Sequence, residues 1–330
     1  MITIIILVFI LKLPPPVKAG LSIRQQVQQL DPLGTTVFLP GIVCLLLALQ
    51  WGGSTYAWSN GRIIALLILA GILLIAFIAI QFWKKDNATI PPRILHQRSV
   101  AAGFFFTICL GSCFMIVVYY LPIWFQAIKG ASAVHSGIMN LPLLLSLVTG
   151  SILSGILVSK VGYYVPFMFA SCLLMSIGSG LLTTLTTTTA HPKWIGFQVV
   201  IGFGIGIGMQ QASIGAQTVL EKKDVPTGVS IMFFAQSFGG AIFISVAQNV
   251  LNNRLIAGLS DLPGFNPIAV VDTGATDLRD VIGPKYIGLV VKAYNHALTD
   301  VFYISVGLAC TMILGAAFMQ WRSVKGKKLH

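Results

Sequence analysis

The chain has 330 residues, of which 56% are hydrophobic and only 9% are charged, and its formal net charge is +12. Because soluble domains carry about 25% charged residues, this composition excludes an ordinary soluble enzyme or binding domain. The basic residues lie in short segments between apolar runs, which is typical of membrane orientation and argues against a nucleic-acid-binding face. The sequence therefore predicts an all-α, polytopic transmembrane helical bundle embedded in a lipid bilayer.

Eight apolar runs are long enough to cross a bilayer, which takes about 20 residues of helix. The predicted spans are 33–51, 62–83, 101–125, 136–159, 164–185, 194–218, 228–250 and 299–321. A further run, Ile2–Leu11, is too short to cross. No small-residue cleavage site follows it, so it is more typical of the end of a span than of a signal peptide.

The spans divide the chain into five parts. These are a partial span and cytoplasmic linker (1–32), two transmembrane helices (33–83), a cytoplasmic loop (84–100), a six-helix bundle (101–321) with an outer loop at 251–298, and a cytoplasmic tail (322–330). In the outer loop, apolar residues recur at roughly helical spacing from Tyr286 to Leu298. This spacing predicts a short helix that lies on the membrane surface or caps the bundle, and a structural cap is favoured over a gate.

The basic residues set the orientation. With the C-terminus inside, the inner segments hold fourteen lysines and arginines, whereas the short outer loops hold three, namely Arg62, Lys129 and Lys193. Such an excess marks the cytoplasmic side of membrane proteins. We therefore expect an integral, multi-pass membrane protein with a cytoplasmic C-terminus, located in the plasma membrane or, as the alternative, in the vacuolar membrane.

The acidic residues avoid the centres of the spans. None of the nine lies in the middle third of a predicted span; they are Asp31, Asp86, Glu221, Asp224, Asp261, Asp272, Asp277, Asp280 and Asp300. Carboxylates inside the membrane are the usual proton relays of pumps and exchangers. Either the protein is therefore not proton-coupled, or its coupling residues lie in a part of the protein outside this chain.

Polar and aromatic side chains within the spans are the candidates for a substrate cavity. An amide in hydrocarbon needs a partner, so it faces a wet cavity or glues two helices together. A tyrosine and tryptophan cluster around Pro122 is typical of an interfacial aromatic belt or of a gate. The candidates are Tyr119, Tyr120, Trp124, Gln126, Asn140, Gln210, Gln211, Phe234 and Gln236. Of these, we predict that Gln210 and Gln236 face a polar cavity and not lipid.

Glycines and cysteines in the spans are interpreted as packing residues. A G-x-G-x-G-x-G run lies mid-span with no preceding strand or adjacent basic residue, so close helix contact is favoured over phosphate binding. The packing glycines are Gly202, Gly204, Gly206, Gly208, Gly239 and Gly240. Cys109 and Cys113 have the i,i+4 spacing that could grip a metal, but small buried hydrophobes are the favoured interpretation. No metal site is predicted.

One short loop carries a family resemblance. The stretch Gly155–Tyr163 joins two spans through a very short inner segment. It resembles the G-x-L-x-D-[RK]-x-G-[RK] loop of the major facilitator superfamily, in the copy found in the C-terminal half. The positions that match are Gly155, Leu157, Lys160 and Gly162. Ser159 stands where the family has an acid and tyrosines stand where it has basic residues, so we expect a structural hinge and not a charge relay.

Further stretches resemble the fourteen-span fungal drug:proton antiporters of that superfamily. They are Leu30–Gly34, Tyr119–Gln126, Gln210–Gly228 and Ala293–Leu298. The resemblance covers essentially the whole chain and implies the end of span six through span fourteen. That is the C-terminal half of a major-facilitator-type fold plus two extra spans. It also implies that the spans at 101–125, 136–159, 194–218 and 228–250 face the cavity, and that the family's coupling carboxylate and arginine belong to an absent N-terminal domain.

The resemblance implies a transporter that exports toxins, drugs or other small organic molecules by proton antiport, here N-terminally truncated. Alternating access would arise from rocking of two helical bundles around a midplane site, of which this chain supplies one. The expected partners are the bilayer, a small-molecule substrate, protons and a missing N-terminal transporter half, with no cofactor. The alternative is a non-transporting membrane scaffold or regulatory fragment. An enzyme is not expected, since no constellation of catalytic groups is present.

Overall fold

The computed structural model describes residues 31–326, except for 54, 86–87, 261–269, 271–273, 276–277, 279–281 and 283–285. The partial span predicted at Ile2–Leu11 lies outside the described residues. So do the rest of the predicted linker up to residue 30, most of the first half of the predicted outer loop, and the last four residues of the predicted tail.

The described chain is built from helices. In chain order they are α1 (Pro32–Trp51), α2 (Gly61–Lys84), α3 (Pro92–Leu95), α4 (Arg98–Lys129), α5 (Ala133–Met139), α6 (Leu141–Val161), α7 (Val165–Leu182), α8 (His191–Gly208), α9 (Gln211–Val219), α10 (Val225–Leu259) and α11 (Ile287–Phe318), followed by a 3₁₀ turn at Val324–Gly326. Within the described part of the chain, eight helical segments are long and apolar enough to cross a membrane, with α5–α6 and α8–α9 each counted as one. The predicted all-α, polytopic bundle is confirmed.

The helices at the predicted outer loop are longer than the spans. α10 continues to Leu259, whereas the prediction ends at 250, and α11 begins at Ile287, whereas the prediction begins at 299. The segment predicted as a separate cap helix, Tyr286–Leu298, is therefore the first part of α11. Residues 289–306 contain no glycine or proline, and polar residues such as Asn295 end an apolar run without ending a helix.

Two membrane-crossing segments are interrupted. The first breaks at Asn140 between α5 and α6, where Pro142 in the first turn of α6 has no N–H to donate. The second breaks at Met209 and Gln210 between α8 and α9, directly after the glycine run, where helix propensity is low. Such breaks free backbone polar groups, which must find partners inside the protein.

α4 is the centre of the bundle. It contacts α9, α10 and α11, while α8 packs against α6 and α7, and α1 pairs with α2 and contacts α10. The largest fully buried side chains include Phe106, Tyr120, Trp124 and Phe125 of α4. We call the end of the bundle that carries residues 84–85, 88–98, 160–164, 220–224 and 319–326 the tail end. The opposite end, with residues 52–53, 55–60, 130–132 and 183–190, is the loop end.

Candidate functional site

The aromatic cluster of α4 is divided between core and surface. Tyr120 and Trp124 are fully buried, whereas Tyr119 is 49% exposed. The Tyr120 hydroxyl lies 3.2 Å from both the carbonyl oxygen of Ile244 and Oε1 of Gln248, on α10. The sequence groups all three aromatic residues with the cavity candidates, but the structure leaves only Tyr119 open to the outside of the bundle.

Trp124 belongs to a polar network at the loop end. Its indole N–H donates to Oδ1 of Asn295 at 2.8 Å, and Asn295 Nδ2 donates to the carbonyl of Leu185 at 3.0 Å. Lys129 lies beside it, with Nζ 5.3 Å from the centroid of the Trp124 ring. The Lys129 ammonium donates to two carbonyl oxygens, those of Thr187 at 2.9 Å and Thr189 at 2.8 Å. The network ties α4, α11 and the segment after α7 together.

Gln198 repairs the break between α5 and α6. In an unbroken helix the N–H of Leu143 would donate to the carbonyl of Met139, its i−4 partner. Here the fully buried amide of Gln198 lies between them. Its Nε2 donates to the Met139 carbonyl at 3.0 Å, and its Oε1 accepts from the Leu143 N–H at 3.3 Å. Sequence analysis missed Gln198, whose signal was a lone amide in an otherwise apolar stretch.

The other polar candidates near this break are inside the bundle. Gln126 donates from Nε2 to the Ser136 hydroxyl at 2.9 Å. Asn140 is buried, and its Oδ1 has no hydrogen-bond partner among the described residues. The buried indole N–H of Trp194 is likewise unpaired within the described chain. These side chains are placed between helices, and whether Gln126 and Asn140 line a substrate cavity stays a prediction.

The remaining glutamine candidates differ in placement. Gln210 is exposed at the break between α8 and α9, whereas Gln211 is fully buried and donates from Nε2 to the Ile207 carbonyl at 2.8 Å. Gln236 is partly buried where α10 crosses α4. A Cβ on Gly111 would lie 2.8 Å from the Gln236 Cα. Whether Gln210 and Gln236 face water or lipid stays a prediction.

Phe234 lies against α1. Its ring is stacked on Phe238 at 5.4 Å between centroids, and Phe38 of α1 lies 5.6 Å from it. The sequence groups Phe234 with the cavity residues, whereas the structure places it in the contact between α1 and α10. A single sequence does not specify which face of α10 contacts α1.

The glycine run of α8 contacts two helices in alternation. A Cβ on Gly206 would overlap the Leu147 carbonyl of α6, and one on Gly202 would overlap the Leu143 carbonyl of the same helix. A Cβ on Gly204 would lie 2.9 Å from the Met175 backbone nitrogen of α7, and one on Gly208 would overlap the Ser171 hydroxyl. Gly239 and Gly240 similarly lie where α10 crosses α4. These glycines permit close contact between backbones.

Polar residues also lie on outward faces of the central helices. Gln210 and Gln217 are exposed on the α8–α9 segment, and Ser230 and Ser237 are exposed on α10. Ser230 and Ser237 are seven residues apart on α10, which places them on one face of that helix. Gln210 directly precedes α9, which carries Gln217. α9 and α10 both flank α4. An apolar lipid phase does not solvate such groups well, so these faces are the best candidates for a hydrated surface.

Two ion pairs fix the tail end. The buried carboxylate of Asp31 lies 2.7 Å from Lys84 Nζ and 3.0 Å from Gln81 Nε2, and the Thr89 hydroxyl donates to it at 3.1 Å. Burial opposes the ionisation of Asp31, but hydrogen bonds from Lys84, the Gly34 N–H, Gln81 and Thr89 hold its pKa well below its usual range. This cluster ties the start of α1 to the end of α2.

The second ion pair joins Arg93 of α3 to Asp224, directly before α10. Nη1 and Nη2 of Arg93 each lie 2.9 Å from one carboxylate oxygen of Asp224. This bidentate hydrogen bonding from Arg93 lowers the pKa of Asp224. The segment between α2 and α4 is therefore attached at two points. Thr89 contacts Asp31 before α1, and Arg93 contacts Asp224 before α10.

The described residues contain no metal-binding group. No three or more His, Cys, Asp or Glu side chains in this part of the chain are close enough together to hold a metal ion. Cys109 and Cys113 are both buried, and Cys113 lies 3.5 Å from the Ser179 hydroxyl. The geometry is that of a packed helical bundle with polar contacts between helices.

Relatives of the chain are named as transporters. It is 53% identical over 327 residues to the MFS-type transporter VdtG of Byssochlamys spectabilis, covering 99% of this chain and 59% of that protein. It is 49% identical over 319 residues to the MFS acetylaranotin efflux transporter ataA of Aspergillus terreus, covering 96% of this chain and 71% of that protein. The chain belongs to the major facilitator superfamily. It is an integral, multi-pass membrane protein and not an enzyme.

The match extends to other exporters of this superfamily. The chain is 49% identical over 313 residues to the rubrofusarin-specific efflux pump aurT of Gibberella zeae, covering 95% of this chain and 58% of that protein. It thus spans a little under three fifths of the length of VdtG and of aurT. No protein-family model matches the chain.

The superfamily-like loop Gly155–Tyr163 holds the chain after α11. Gly162 ends α6 with a φ of 88°, a left-handed conformation that favours glycine, and its carbonyl accepts from the Val324 N–H at 2.8 Å. Lys325 Nζ donates to the Lys160 carbonyl. Ser159, in the family's acid position, donates to the Gly155 carbonyl at 2.9 Å. Leu157 is exposed. The loop therefore anchors the first residues of the tail.

Proposed function

We propose that this chain forms one helical bundle of an exporter that moves toxins, drugs or other small organic molecules out of the cell by proton antiport. The observation that carries the proposal is the exposed polar face of α9 and α10, marked by Gln210, Gln217, Ser230 and Ser237. Membership in the superfamily and the efflux names of relatives support it.

The exposed face favours a second bundle over bare lipid. In alternating access, two bundles enclose a midplane site and rock against each other, so each presents a partly polar surface to the other. Such a surface carries amides and hydroxyls because it is hydrated for part of the cycle. In this proposal Gln210 and Ser237 face the substrate pathway. The second bundle corresponds to the part of the longer relatives that this chain does not cover.

The proton-binding group is proposed to lie in that second bundle. Among the described acidic residues, only Asp300 lies inside a helix, and its Oδ2 is 3.0 Å from Arg254 Nε near the loop end. Asp31 and Asp224 are paired with cations at the tail end. Asp31 and Asp224 directly precede membrane-crossing helices, and Asp300 lies at the outer boundary of the predicted span 299–321. Coupling carboxylates usually lie deeper in the membrane.

The tail end is proposed to be cytoplasmic, since it carries most of the basic residues, and the plasma membrane is the proposed location. Ser159 and Thr188 are exposed at opposite ends of the bundle. An impermeant maleimide added to intact cells should label the Thr188→Cys variant and spare Ser159→Cys until the cells are permeabilised. The wild-type protein is the control, because it shows how much the native cysteines are labelled. Labelling of Ser159→Cys from outside intact cells would reverse the orientation.

Efflux from drug-sensitive yeast tests the function. Cells would express this chain together with the part of VdtG that it does not cover, and retention of a panel of fluorescent organic compounds would be followed. We expect lower retention of at least one compound than in cells with either part alone. Ser237→Trp should abolish this effect because the ring fills the polar face, whereas Ile68→Trp, at an exposed position of α2, should preserve it. Equal loss of efflux in both variants would contradict the assignment of the face.

A further inference from the structure

A cavity of about 530 Å³ lies at the loop end, between the last turns of α10 and the first turns of α11. Both helices are far longer than a bilayer requires, with 35 and 32 residues against about 20 for a span. The cavity-lining residues belong to the final six residues of α10 and the first ten of α11. The cavity is therefore outside the membrane-crossing part of the bundle and separate from the polar face of α9 and α10.

The rim of the cavity is basic. Arg254, Lys292 and His296 line it, and no acidic side chain does so among the described residues. Asp300 lies nearby, with Oδ2 3.0 Å from Arg254 Nε and 3.6 Å from His296 Nδ1. Its one negative charge can offset one of the two permanent positive charges. Lys292 forms no ion pair with a described residue, so the described side chains of the rim carry one more positive than negative charge.

The rest of the described lining is apolar. It consists of Ala257 and Gly258 of α10 and of Leu289 and Ala293 of α11. A Cβ on Gly258 would lie 3.5 Å from that of Ala293. Small residues at a helix crossing leave a flat surface without polar side chains. A volume of about 530 Å³ is within the range of small-molecule sites.

Lys292 and His296 also line a second, neighbouring cavity of about 310 Å³, whose opposite wall is the threonine-rich segment 183–187. The two side chains thus stand between two open spaces and are not packed into the core. Both side chains can therefore reach a ligand in the larger cavity with little rearrangement of the protein.

We propose that the larger cavity binds an organic anion, a carboxylate or phenolate carried on a flat apolar ring system. The anionic group would lie between Lys292 and Arg254, where charge-assisted hydrogen bonds form, and the ring would cover Ala257, Gly258 and Ala293. Asp300 competes with the ligand for Arg254. This site goes beyond the proposed efflux function, because it assigns a ligand to the loop-end turns of α10 and α11, beyond the predicted spans 228–250 and 299–321.

Equilibrium binding to the full chain in lipid nanodiscs tests the proposal, with 2-naphthoate as probe, its uncharged isostere 2-naphthamide for comparison, and empty nanodiscs as blank. Titrations followed by ligand-observed NMR should show naphthoate binding at least about tenfold more tightly than naphthamide. Lys292→Gln should remove that preference and Lys292→Arg should keep it. Lys193→Gln, which removes an exposed basic residue of the same end outside the cavity, should change nothing.

Asp300→Asn is the sharpest variant, because it removes the competing carboxylate without changing the side-chain shape. We expect it to tighten naphthoate binding about threefold or more and to leave naphthamide binding unchanged. A purely structural role for the Arg254–Asp300 pair would not produce that gain. Equal affinity of wild-type protein for the two probes, or an unaltered preference in Lys292→Gln, would overturn the proposal. The test measures binding alone, so a failure of the efflux assay does not affect it.

Discussion

Gln198 of α8 donates a hydrogen bond of 3.0 Å to the backbone carbonyl of Met139, at the point where α5 ends and α6 begins. The same side-chain amide accepts from the Leu143 N–H. One side chain therefore takes the place of a missing helical hydrogen bond in a neighbouring span. This contact lets the chain keep a break in a membrane-crossing segment without leaving backbone groups unpaired.

Replacing Gln198 by leucine should destabilise the bundle. The Met139 carbonyl and the Leu143 N–H would both lose their partner inside an apolar environment, which costs about 2 kcal/mol of the free energy of unfolding. Thermal unfolding in nanodiscs, followed by tryptophan fluorescence, measures the effect. Gln210→Leu on the same span is the matched control, because Gln210 is exposed. Equal stability of Gln198→Leu and the wild type would show that the break needs no partner.

The glycine run makes a prediction about helix spacing. Alanine at Gly206 should lower the midpoint of thermal unfolding, because its Cβ would overlap the Leu147 carbonyl and also lie 2.9 Å from the Ser151 backbone nitrogen. We expect a loss of about 2 kcal/mol, typical of overpacking. Gly196→Ala, on the same helix with open space around the position, should be neutral or slightly stabilising. If both variants lose stability equally, the cost is not one of contact between α6 and α8.

The Asp31 cluster makes a prediction about pH. Because the pKa of the folded-state carboxyl is lowered, the cluster stabilises the fold above the ordinary aspartate pKa of about 4, and this contribution is lost as the pH falls below that value. At pH 7, Asp31→Asn should therefore lower the free energy of unfolding by about 2 kcal/mol relative to the wild type. The variant should unfold at a lower temperature. The difference should shrink on acidification towards pH 3.

The matched control for Asp31→Asn is Glu221→Gln. Glu221 pairs with Lys223 at 2.9 Å, but both side chains are about 70% exposed, and exposed ion pairs contribute little to stability. Glu221→Gln should thus resemble the wild type at both pH values. An Asp31→Asn variant with unchanged stability at pH 7 would mean that desolvation of the buried carboxylate cancels its hydrogen bonds.

The sequence was sufficient for the fold class and insufficient for the contacts. Apolar run length predicted the membrane-crossing helices because hydrocarbon thickness sets that length. It failed at the ends of α10 and α11, since a helix can continue into water when no residue breaks it. The contacts of Gln198, Asn295 and Lys129 were not predicted, because their roles depend on which helix lies beside them. The contact of Phe234 with Phe38 of α1 was not predicted for the same reason. Periodicity within one helix does not specify its neighbours.

Transport into inverted membrane vesicles tests the proposed function most directly. The claim is that this chain contributes one bundle of a proton-driven exporter. Vesicles would contain the purified chain alone or together with the part of VdtG that it does not cover, and uptake of fluorescent organic compounds would be measured with and without a protonophore. We predict uptake only when both parts are present, and loss of uptake when the proton gradient is dissipated. Robust uptake by the chain alone, or uptake by both parts that the protonophore leaves unchanged, would contradict it.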